Sequence, residues 1–182
     1  MKKKLVSLLL IISLLFITTA CDFNSTKNKK IEKGNCSALD CIMDLKPENT
    51  VEEINKVIGF DGELINKDNN MYSWKIGKND KILATYYNSN KATIEAKFDR
   101  EKIKNDKIDF SSYSEIQDLL KKGKTLTLEE FNDKVKGNGI LYLISSSSKK
   151  YIWVNKKGEY LEAYFSVSTG KCTFVTGRTE KQ

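Results

Sequence analysis

The sequence contains no histidine among its 182 residues, and this absence removes a familiar set of functions. Histidine is the usual general base at neutral pH, a frequent metal ligand and the side chain that most readily titrates in the physiological range. The sequence also lacks a glycine-rich phosphate loop, a metal-ligand spacing and a nucleic-acid-binding motif. We therefore expect a protein that is not an enzyme, that needs neither cofactor nor metal, and that binds no nucleic acid.

Two other residue types that often carry catalysis have simpler interpretations in this chain. A cysteine nucleophile needs an activating base or a positive site, and no lysine is placed by the sequence to supply one. The glutamate pairs Glu52–Glu53 and Glu129–Glu130 fall in the first turns of predicted helices. Carboxylates there accept hydrogen bonds from backbone N–H groups and interact favourably with the helix dipole. We therefore interpret these pairs as helix caps, not as acid–base catalysts.

Only one long apolar run occurs, and it lies at the N-terminus. Leu5–Ile17 is interrupted only by Ser7 and Ser13, and it follows three lysines. As a helix this run would measure about 20 Å, against the roughly 30 Å of a bilayer core. That length is typical of a signal peptide and too short for a membrane span. The residues that follow, Thr18-Thr19-Ala20-Cys21, resemble the lipobox of bacterial lipoproteins, with Thr18 at the position usually held by leucine.

We predict that residues 1–20 are a lipoprotein signal peptide and that Cys21 becomes the lipidated first residue of the mature chain. At least two acyl chains would then hold the protein stably on the extracytoplasmic face of the cell membrane. The alternative is an ordinary secretory signal in which Cys21 is incidental. Three of the 31 basic residues and none of the 24 acidic residues precede Cys21, so the remaining chain has a formal charge of +4.

Residues 21–35 are polar, rich in lysine and asparagine, and without apolar periodicity. We interpret them as a flexible tether whose mean end-to-end distance is roughly 20 Å. The lysines of the tether either lie near anionic lipid and wall polymer or simply keep the linker solvated.

The part of the chain beyond the tether contains one pattern written twice. Thr50–Asn55 matches Thr127–Asn132, and Gly62 matches Gly139 at the same offset. At a slightly larger offset an aromatic pair and an apolar triplet recur: Tyr72 and Trp74 with Tyr151 and Trp153, then Ile82, Ala84 and Tyr86 with Leu161, Ala163 and Phe165. These matches predict a first unit over residues 36–98, a charged linker over residues 99–110 and a second unit over residues 111–182.

Each unit is predicted to contain two helices followed by strands, which makes the fold class α+β. A hydroxyl residue followed three positions later by a carboxylate is typical of a capping box, and this spacing occurs at Ser37, Thr50, Ser112 and Thr127. Alternating apolar residues between turn signals predict strands over residues 62–65, 71–76, 81–88, 93–98, 139–145, 150–155, 159–167 and 171–176.

The period-two alternation predicts which side of each strand is buried. Tyr72, Trp74 and Ile76 alternate with Ser73 and Lys75, so we expect the aromatic side to pack against the helices. The opposite side carries more apolar and aromatic residues than a solvated face needs, which is typical of an interaction surface. We predict that a protein partner binds there through Leu83, Tyr87, Ile152, Val154, Tyr160 and Tyr164. The alternative is that a loop or a neighbouring sheet covers these residues.

The combined pattern in each unit is T-x-E-E-[IF]-N, then Y-x-W, then [IL]-x-A-x-[YF]. It resembles the β-lactamase inhibitor protein superfamily, and the single-unit outer-membrane lipoproteins of the SmpA/OmlA type are similar in outline. The resemblance covers residues 37–176. It implies two helix–helix–strand units whose strands join into one curved antiparallel sheet, with the helices packed on one face. Inhibitors of this superfamily grip their targets with the concave face, which would here be the predicted partner-binding face.

Three cysteines follow Cys21, and their pairing is open. With Ser37 as the N-cap, Cys36 and Cys41 occupy the N′ and N4 positions, which meet in a hydrophobic staple and are therefore close enough for a disulfide. The alternatives are a bond from Cys172 to Cys36 or Cys41, or three free thiols. We predict the Cys36–Cys41 disulfide, which leaves Cys172 as a buried thiol.

These patterns together predict a membrane-anchored extracytoplasmic lipoprotein that acts as a protein-binding module through its exposed sheet face. The resemblance adds an inhibitor-like role to this prediction. The alternative function is that of a structural cell-envelope lipoprotein, which has no defined protein ligand and whose charges rest on wall polymer.

Overall fold

The computed structural model describes residues 37–87 and 90–178, with only the backbone of Arg178. The predicted signal peptide, Cys21, the tether and Cys36 lie outside the described residues. Within them are four α-helices, α1 (Ala38–Asp44), α2 (Val51–Ile58), α3 (Tyr113–Lys121) and α4 (Leu128–Val135), and a 3₁₀ helix (Arg100–Ile103). The strands are β1 (Glu63–Asn66), β2 (Met71–Lys75), β3 (Lys81–Thr85), β4 (Thr93–Lys97), β5 (Ile140–Ile144), β6 (Ser148–Val154), β7 (Tyr160–Ser166) and β8 (Cys172–Arg178).

The eight strands form one antiparallel sheet in which spatial order follows chain order from β1 to β8. Short connections suffice for such a sheet, apart from the longer one between β4 and β5 that carries α3 and α4. All eight predicted strands and the α+β class are confirmed. The largest difference is at β3, which ends at Thr85 instead of Asn88. The next residue, Tyr86, leaves the ladder and donates its hydroxyl hydrogen bond to the carbonyl of Asn49, 2.7 Å away.

Three of the four predicted capping boxes form. The hydroxyls of Ser37, Thr50 and Thr127 each accept the N–H of the residue three positions on, whose carboxylate accepts the N–H of the cap residue. The backbone N–H groups of the two threonines are the largest cause of the lowered pKa values of Glu53 and Glu130. The interpretation of these two glutamates as helix caps is confirmed.

The capping box predicted at Ser112 is wrong. Ser112 has φ −83° and ψ 4°, so its backbone is not extended as in the other three caps, and its side chain makes no capping hydrogen bond. Its hydroxyl instead donates to the carbonyl of Lys134 in the last turn of α4. The Lys134 ammonium in turn pairs with Glu115 of α3 at 2.6 Å. The Ser112 hydroxyl and the Glu115 carboxylate therefore link α3 to α4 instead of capping α3.

The helices pack on one face of the sheet, which we call the helix face, over two hydrophobic clusters. The first cluster contains Trp74 and joins α1 and α2 to strands β2 to β5, and it extends to Ile152 and Val154 of β6. The second contains Trp153 and joins α3 and α4 to strands β6 to β8. Both indoles are fully buried, as are the small residues Ala84 and Ala163 on neighbouring strands. The prediction that the aromatic side of β2 packs inward is therefore confirmed.

A hydrogen-bonded contact fixes α2 to the sheet. The Oδ1 atom of Asn55 accepts the indole N–H of Trp74 at 2.8 Å and the backbone N–H of Gly62 at 3.1 Å. Gly62 lies directly against the indole, and a Cβ atom there would overlap the ring. One amide oxygen therefore satisfies a buried indole donor and sets the distance between helix and strand.

The same contact recurs between α4 and β6. The Oδ1 atom of Asn132 accepts the indole N–H of Trp153 at 3.1 Å and the backbone N–H of Gly139 at 3.0 Å. A Cβ atom on Gly139 would likewise overlap the indole. The Trp153 ring also stacks on Phe131 of α4, with ring centroids 4.5 Å apart. The matched sequence positions are therefore matched in their contacts as well.

The segment predicted as a linker packs against the sheet. The Asp99 side chain accepts the N–H of Glu101 and begins the 3₁₀ helix. Asn105 then donates its backbone N–H to the carbonyl of Val154 on β6, at 3.0 Å. Asp109 donates its own N–H to the carbonyl of Val135 at the end of α4. These two hydrogen bonds fix the segment to β6 and to the end of α4, and they thereby fix the positions of its side chains.

The cysteines narrow the pairing alternatives. Cys41 is buried and disulfide-bonded, and Cys172 is a buried free thiol. The pairings through Cys172 and the alternative of three free thiols are therefore wrong. The Cys36–Cys41 pairing stays a prediction, because Cys36 lies outside the described residues. Burial raises the pKa of Cys172 to about 11, so this thiol is protonated and unreactive at neutral pH.

The packing of glycine against tryptophan generates a stability prediction. Gly139→Ala forces a methyl group into the Trp153 indole, and we expect it to lower the free energy of unfolding by about 1–3 kcal/mol. Gly77→Ala is the matched control, because a Cβ atom at Gly77 meets nothing within 4 Å. Urea denaturation of both variants measures the difference. Equal stability of the two variants would contradict the packing described here.

Candidate functional site

The face of the sheet opposite the helix face is where the predicted interaction surface lies, and we call it the second face. A row of side chains in cross-strand register runs across it through all eight strands. From β1 to β8 the row consists of Glu63, Ser73, Leu83, Glu95, Leu143, Lys150, Tyr164 and Phe174. The row therefore mixes charged and apolar side chains, and at β7 and β8 it ends in the Tyr164 and Phe174 rings, which lie 5.8 Å apart.

The predicted partner-binding residues do not form one surface. Leu83, Tyr160 and Tyr164 lie on the second face and are partly exposed. Tyr87 is mostly exposed, but it lies beyond the end of β3 and has no place in the cross-strand rows. The structure therefore assigns three of the six predicted residues to the exposed part of the second face.

The prediction that Ile152 and Val154 are exposed is wrong. Both side chains point to the second face, yet each is only 1% exposed. Phe98 and Ile103, which flank and end the 3₁₀ helix, pack against the cluster that contains them. The segment between β4 and α3 therefore covers this part of the face, which agrees with the alternative of a covering loop.

A buried ionic cluster lies beside these residues on the second face. The Glu162 carboxylate binds two cations, with Oε2 2.9 Å from the Lys150 ammonium and Oε1 3.2 Å from the Arg100 guanidinium. The Lys150 and Glu162 side chains are 14% and 11% exposed, whereas the Arg100 side chain is 47% exposed. One carboxylate therefore balances one buried and one half-exposed cation.

Three tyrosines surround this ionic cluster. The Lys150 ammonium lies over the rings of Tyr164 and Tyr142, 4.7 and 5.2 Å from their centroids. Arg100 stacks on Tyr160 at 4.1 Å. Burial alone lowers the pKa of Lys150, but the contacts with Tyr142, Tyr164 and Glu162 outweigh burial, and the pKa is raised above its usual range. Lys150 is therefore a permanent cation on this face.

Tyr142, one of the three surrounding tyrosines, is unusual because its hydroxyl makes no hydrogen bond among the described residues. The residue is 6% exposed, and its hydroxyl is buried. Burial raises its pKa above the usual range for tyrosine, so the hydroxyl stays protonated and remains a donor. A buried donor without an acceptor is uncommon in proteins and costs free energy.

A recess of about 160 Å³ opens between the ionic cluster and β4. Its lining includes Glu95, Lys97, Arg100, Tyr142, Lys150 and Glu162. The recess is thus formed by charged and aromatic side chains of four strands and the 3₁₀ helix.

A row of lysines continues this basic surface along β2 to β4. Lys75 lies opposite Lys81, and Lys81 lies opposite Lys97, on three neighbouring strands. Like charges directly opposite each other destabilise a sheet. Lys75 and Lys97 have partners in Glu63 and Glu95, but Lys81 has no ion-pair partner among the described residues. The sheet tolerates this repulsion, which is typical of a surface kept for a purpose other than stability.

The sequence patterns missed three central residues of this site. Arg100 was assigned to a linker, and nothing in the local sequence brings it next to Glu162, which lies far along the chain. Tyr142 sits where the β5–β6 register shifts between Leu141 and Leu143, so simple alternation does not assign its face. Lys150 lies at the start of a predicted strand. The one available signal was the alternation of Lys150 with Tyr151, Ile152 and Trp153, which puts a lysine on the second face.

Other kinds of site receive no support from the described residues. They contain no grouping of cysteine and acidic side chains suited to a metal ion. Every helix in residues 37–87 and 90–178 is too short or too polar to cross a bilayer. Comparisons of the chain with protein-family models, with curated proteins and with solved structures find no match.

The unpartnered hydroxyl of Tyr142 generates a prediction with a matched control. Tyr142→Phe removes a buried donor that has no acceptor, so we expect stability to be unchanged or raised by up to about 1–2 kcal/mol. Tyr86→Phe removes a hydroxyl that does have an acceptor, and it should cost about 1 kcal/mol. Chemical denaturation measures both. A loss at Tyr142 as large as that at Tyr86 would show that its hydroxyl is satisfied.

Proposed function

We propose that this protein is a membrane-anchored extracytoplasmic lipoprotein that binds a protein partner through the second face of its sheet. The observation that carries the proposal is the cluster of Lys150, Glu162 and Arg100 among three tyrosines. Tyrosine and arginine are favoured at the centres of protein interfaces, where they supply large contact areas with a polar end. The exposed Phe174 and the partly exposed Tyr164 and Leu83 extend this surface beyond the cluster.

The arrangement of the sheet supports the same proposal. The helices occupy one face. On the second face the segment between β4 and α3 packs near Ile152 and Val154, and Ser73 and Thr85 are also buried. The exposed Phe174 and the partly exposed Leu83, Tyr160 and Tyr164 are the apolar and aromatic residues of this face that a partner can reach. A sheet whose other face served only solvation would not need its aromatic residues or its facing lysines.

We further propose that the sheet is built from two tandem units, residues 36–98 and 111–182, joined between β4 and β5. The support is the contact that Asn55 makes with Trp74 and Asn132 makes with Trp153. The helices that carry these asparagines also begin with matching capping boxes at Thr50 and Thr127. A tandem arrangement of this kind is what the resemblance to the β-lactamase inhibitor protein superfamily implies, including an inhibitor-like use of the second face.

The anchor is tested by replacing its attachment residue. Cys21→Ala removes the thioether that would carry the diacylglyceryl group, so we expect the protein to lose incorporated palmitate and to leave the membrane fraction. Cys172→Ala, which removes a different cysteine, should remain labelled and membrane-bound. Retention of Cys21→Ala in the membrane fraction after a high-salt wash would contradict lipid anchoring.

The partner-binding surface is tested by photo-crosslinking in intact cells. A photoreactive amino acid at Tyr164 or Phe174 should give one adduct, of the same mass from both positions, because both side chains lie in the same row. The control position is Met43, which is well exposed on α1 of the helix face. Absence of any adduct from Tyr164 and Phe174 would favour a structural envelope protein without a defined protein ligand.

A further inference from the structure

We propose that the recess beside Arg100 and Lys150 binds a carboxylate side chain, aspartate or glutamate, of the protein partner. This inference rests on the proposed function, because it names the chemistry that the partner presents to the second face.

The charged side chains that line the recess do not balance. Lys97, Arg100 and Lys150 line the recess together with only two carboxylates, Glu95 and Glu162. Glu95 forms an ion pair with Lys97, so Glu162 is the only lining carboxylate that pairs with Arg100 and Lys150. The lining is therefore one negative charge short of neutrality. Lys150 is largely buried and shares its only carboxylate with Arg100, so a single added carboxylate would give each of these two cations its own counter-ion.

Arg100 also has hydrogen-bond donors that are not used within the described residues. Only one N–H group of the Arg100 guanidinium has an acceptor among the described residues, and the side chain is half exposed. A guanidinium carries five N–H donors in a fork that matches the two oxygens of a carboxylate. The Tyr142 hydroxyl, in the same wall, is a further donor with no acceptor. A carboxylate in the recess would supply acceptors to the free N–H groups of Arg100 and would lie next to the buried Tyr142 side chain.

The size and the surroundings of the recess favour a protein side chain as the source of the carboxylate. The recess is about 160 Å³, which accommodates a side-chain carboxylate and a few waters but not a large ligand. The apolar part of the cross-strand row, Leu143, Tyr164 and Phe174, adjoins it on the second face. Apolar surface around a charged centre is the arrangement found in protein interfaces and adds little to the binding of a free small acid. The lysine row of β2 to β4 extends the positive surface that an acidic partner would meet.

The experiment uses two capped tripeptides as probes, acetyl-Gly-Glu-Gly-amide and acetyl-Gly-Gln-Gly-amide, which differ only in carboxylate against amide. Both are titrated into the protein at constant ionic strength and followed by NMR. We expect the glutamate peptide to shift the resonances of Arg100, Tyr142 and Lys150 in a saturable manner, and the glutamine peptide to leave them unchanged. Identical responses to both peptides would overturn the proposal, as would shifts spread evenly over all surface lysines.

Two variants separate the site from general charge attraction. Arg100→Gln keeps the Lys150–Glu162 pair and should weaken binding of the glutamate peptide about tenfold or more, because a charge-assisted hydrogen bond is lost. Lys56→Gln makes the same change of charge on the exposed surface of α2 and should leave binding unchanged. Equal weakening by both variants would overturn the proposal, since it would show that only net charge matters.

The same variants distinguish this inference from the proposed function. In cells, Arg100→Gln should strongly reduce the adduct formed from Tyr164, and Lys56→Gln should not. An undiminished adduct in Arg100→Gln would overturn the carboxylate site and leave the protein-binding function intact. The absence of an adduct even with Arg100 present would instead overturn the proposed function.

Discussion

The hydrogen bond from a buried tryptophan to a helix asparagine is the interaction on which the arrangement of this fold depends. Asn55 and Asn132 each hold an indole and a glycine N–H with one oxygen, so helix, turn and strand are fixed together. Because each indole points to the helix face, the alternate residues of the same strand must point to the second face. The position of the helices therefore decides which side chains remain available for a partner.

The second face combines features that a purely structural sheet would avoid. Its charged residues include a lysine facing lysines on both neighbouring strands and a carboxylate shared by two cations. Natural proteins are locally consistent except where function requires otherwise, so departures of this kind concentrate at functional sites. The segment between β4 and α3 contributes to the same region, because it supplies Arg100 and covers Ile152. The segment that covers this part of the face therefore also supplies part of the lining of the charged recess.

The helices, strands and inward-facing residues were predictable from sequence because they depend on local spacing. Capping boxes at Thr50 and Thr127 and the alternation around Trp74 act within a few residues, and their structures match the prediction. The errors arise where a distant segment intervenes. Ser112 binds the carbonyl of Lys134, and the 3₁₀ segment hides Val154, which no short pattern reveals. Tyr142 escaped prediction because a register shift within β5 interrupts the alternation.

The candidate site was therefore only partly predictable. Alternation correctly placed Leu83, Tyr160 and Tyr164 on the second face, since it needs no knowledge of neighbouring strands. The Arg100–Glu162 pair joins residues far apart in the chain, and sequence spacing carries no information about such a contact. The site is a product of strand register and of the path of one connecting segment.

The claim that Glu162 is the shared partner of two cations on the second face is tested most directly by the stability of Glu162→Gln. This change removes the charge but keeps the shape, and it leaves the buried Lys150 ammonium without a counter-ion. We expect the free energy of unfolding at neutral pH to fall by about 2–3 kcal/mol, less than for a fully buried pair, because Lys150 is not fully buried and Arg100 is half exposed. The matched change Glu63→Gln removes an exposed ion pair with Lys75 and should cost less than about 1 kcal/mol. Equal, small effects of the two substitutions would contradict the claim.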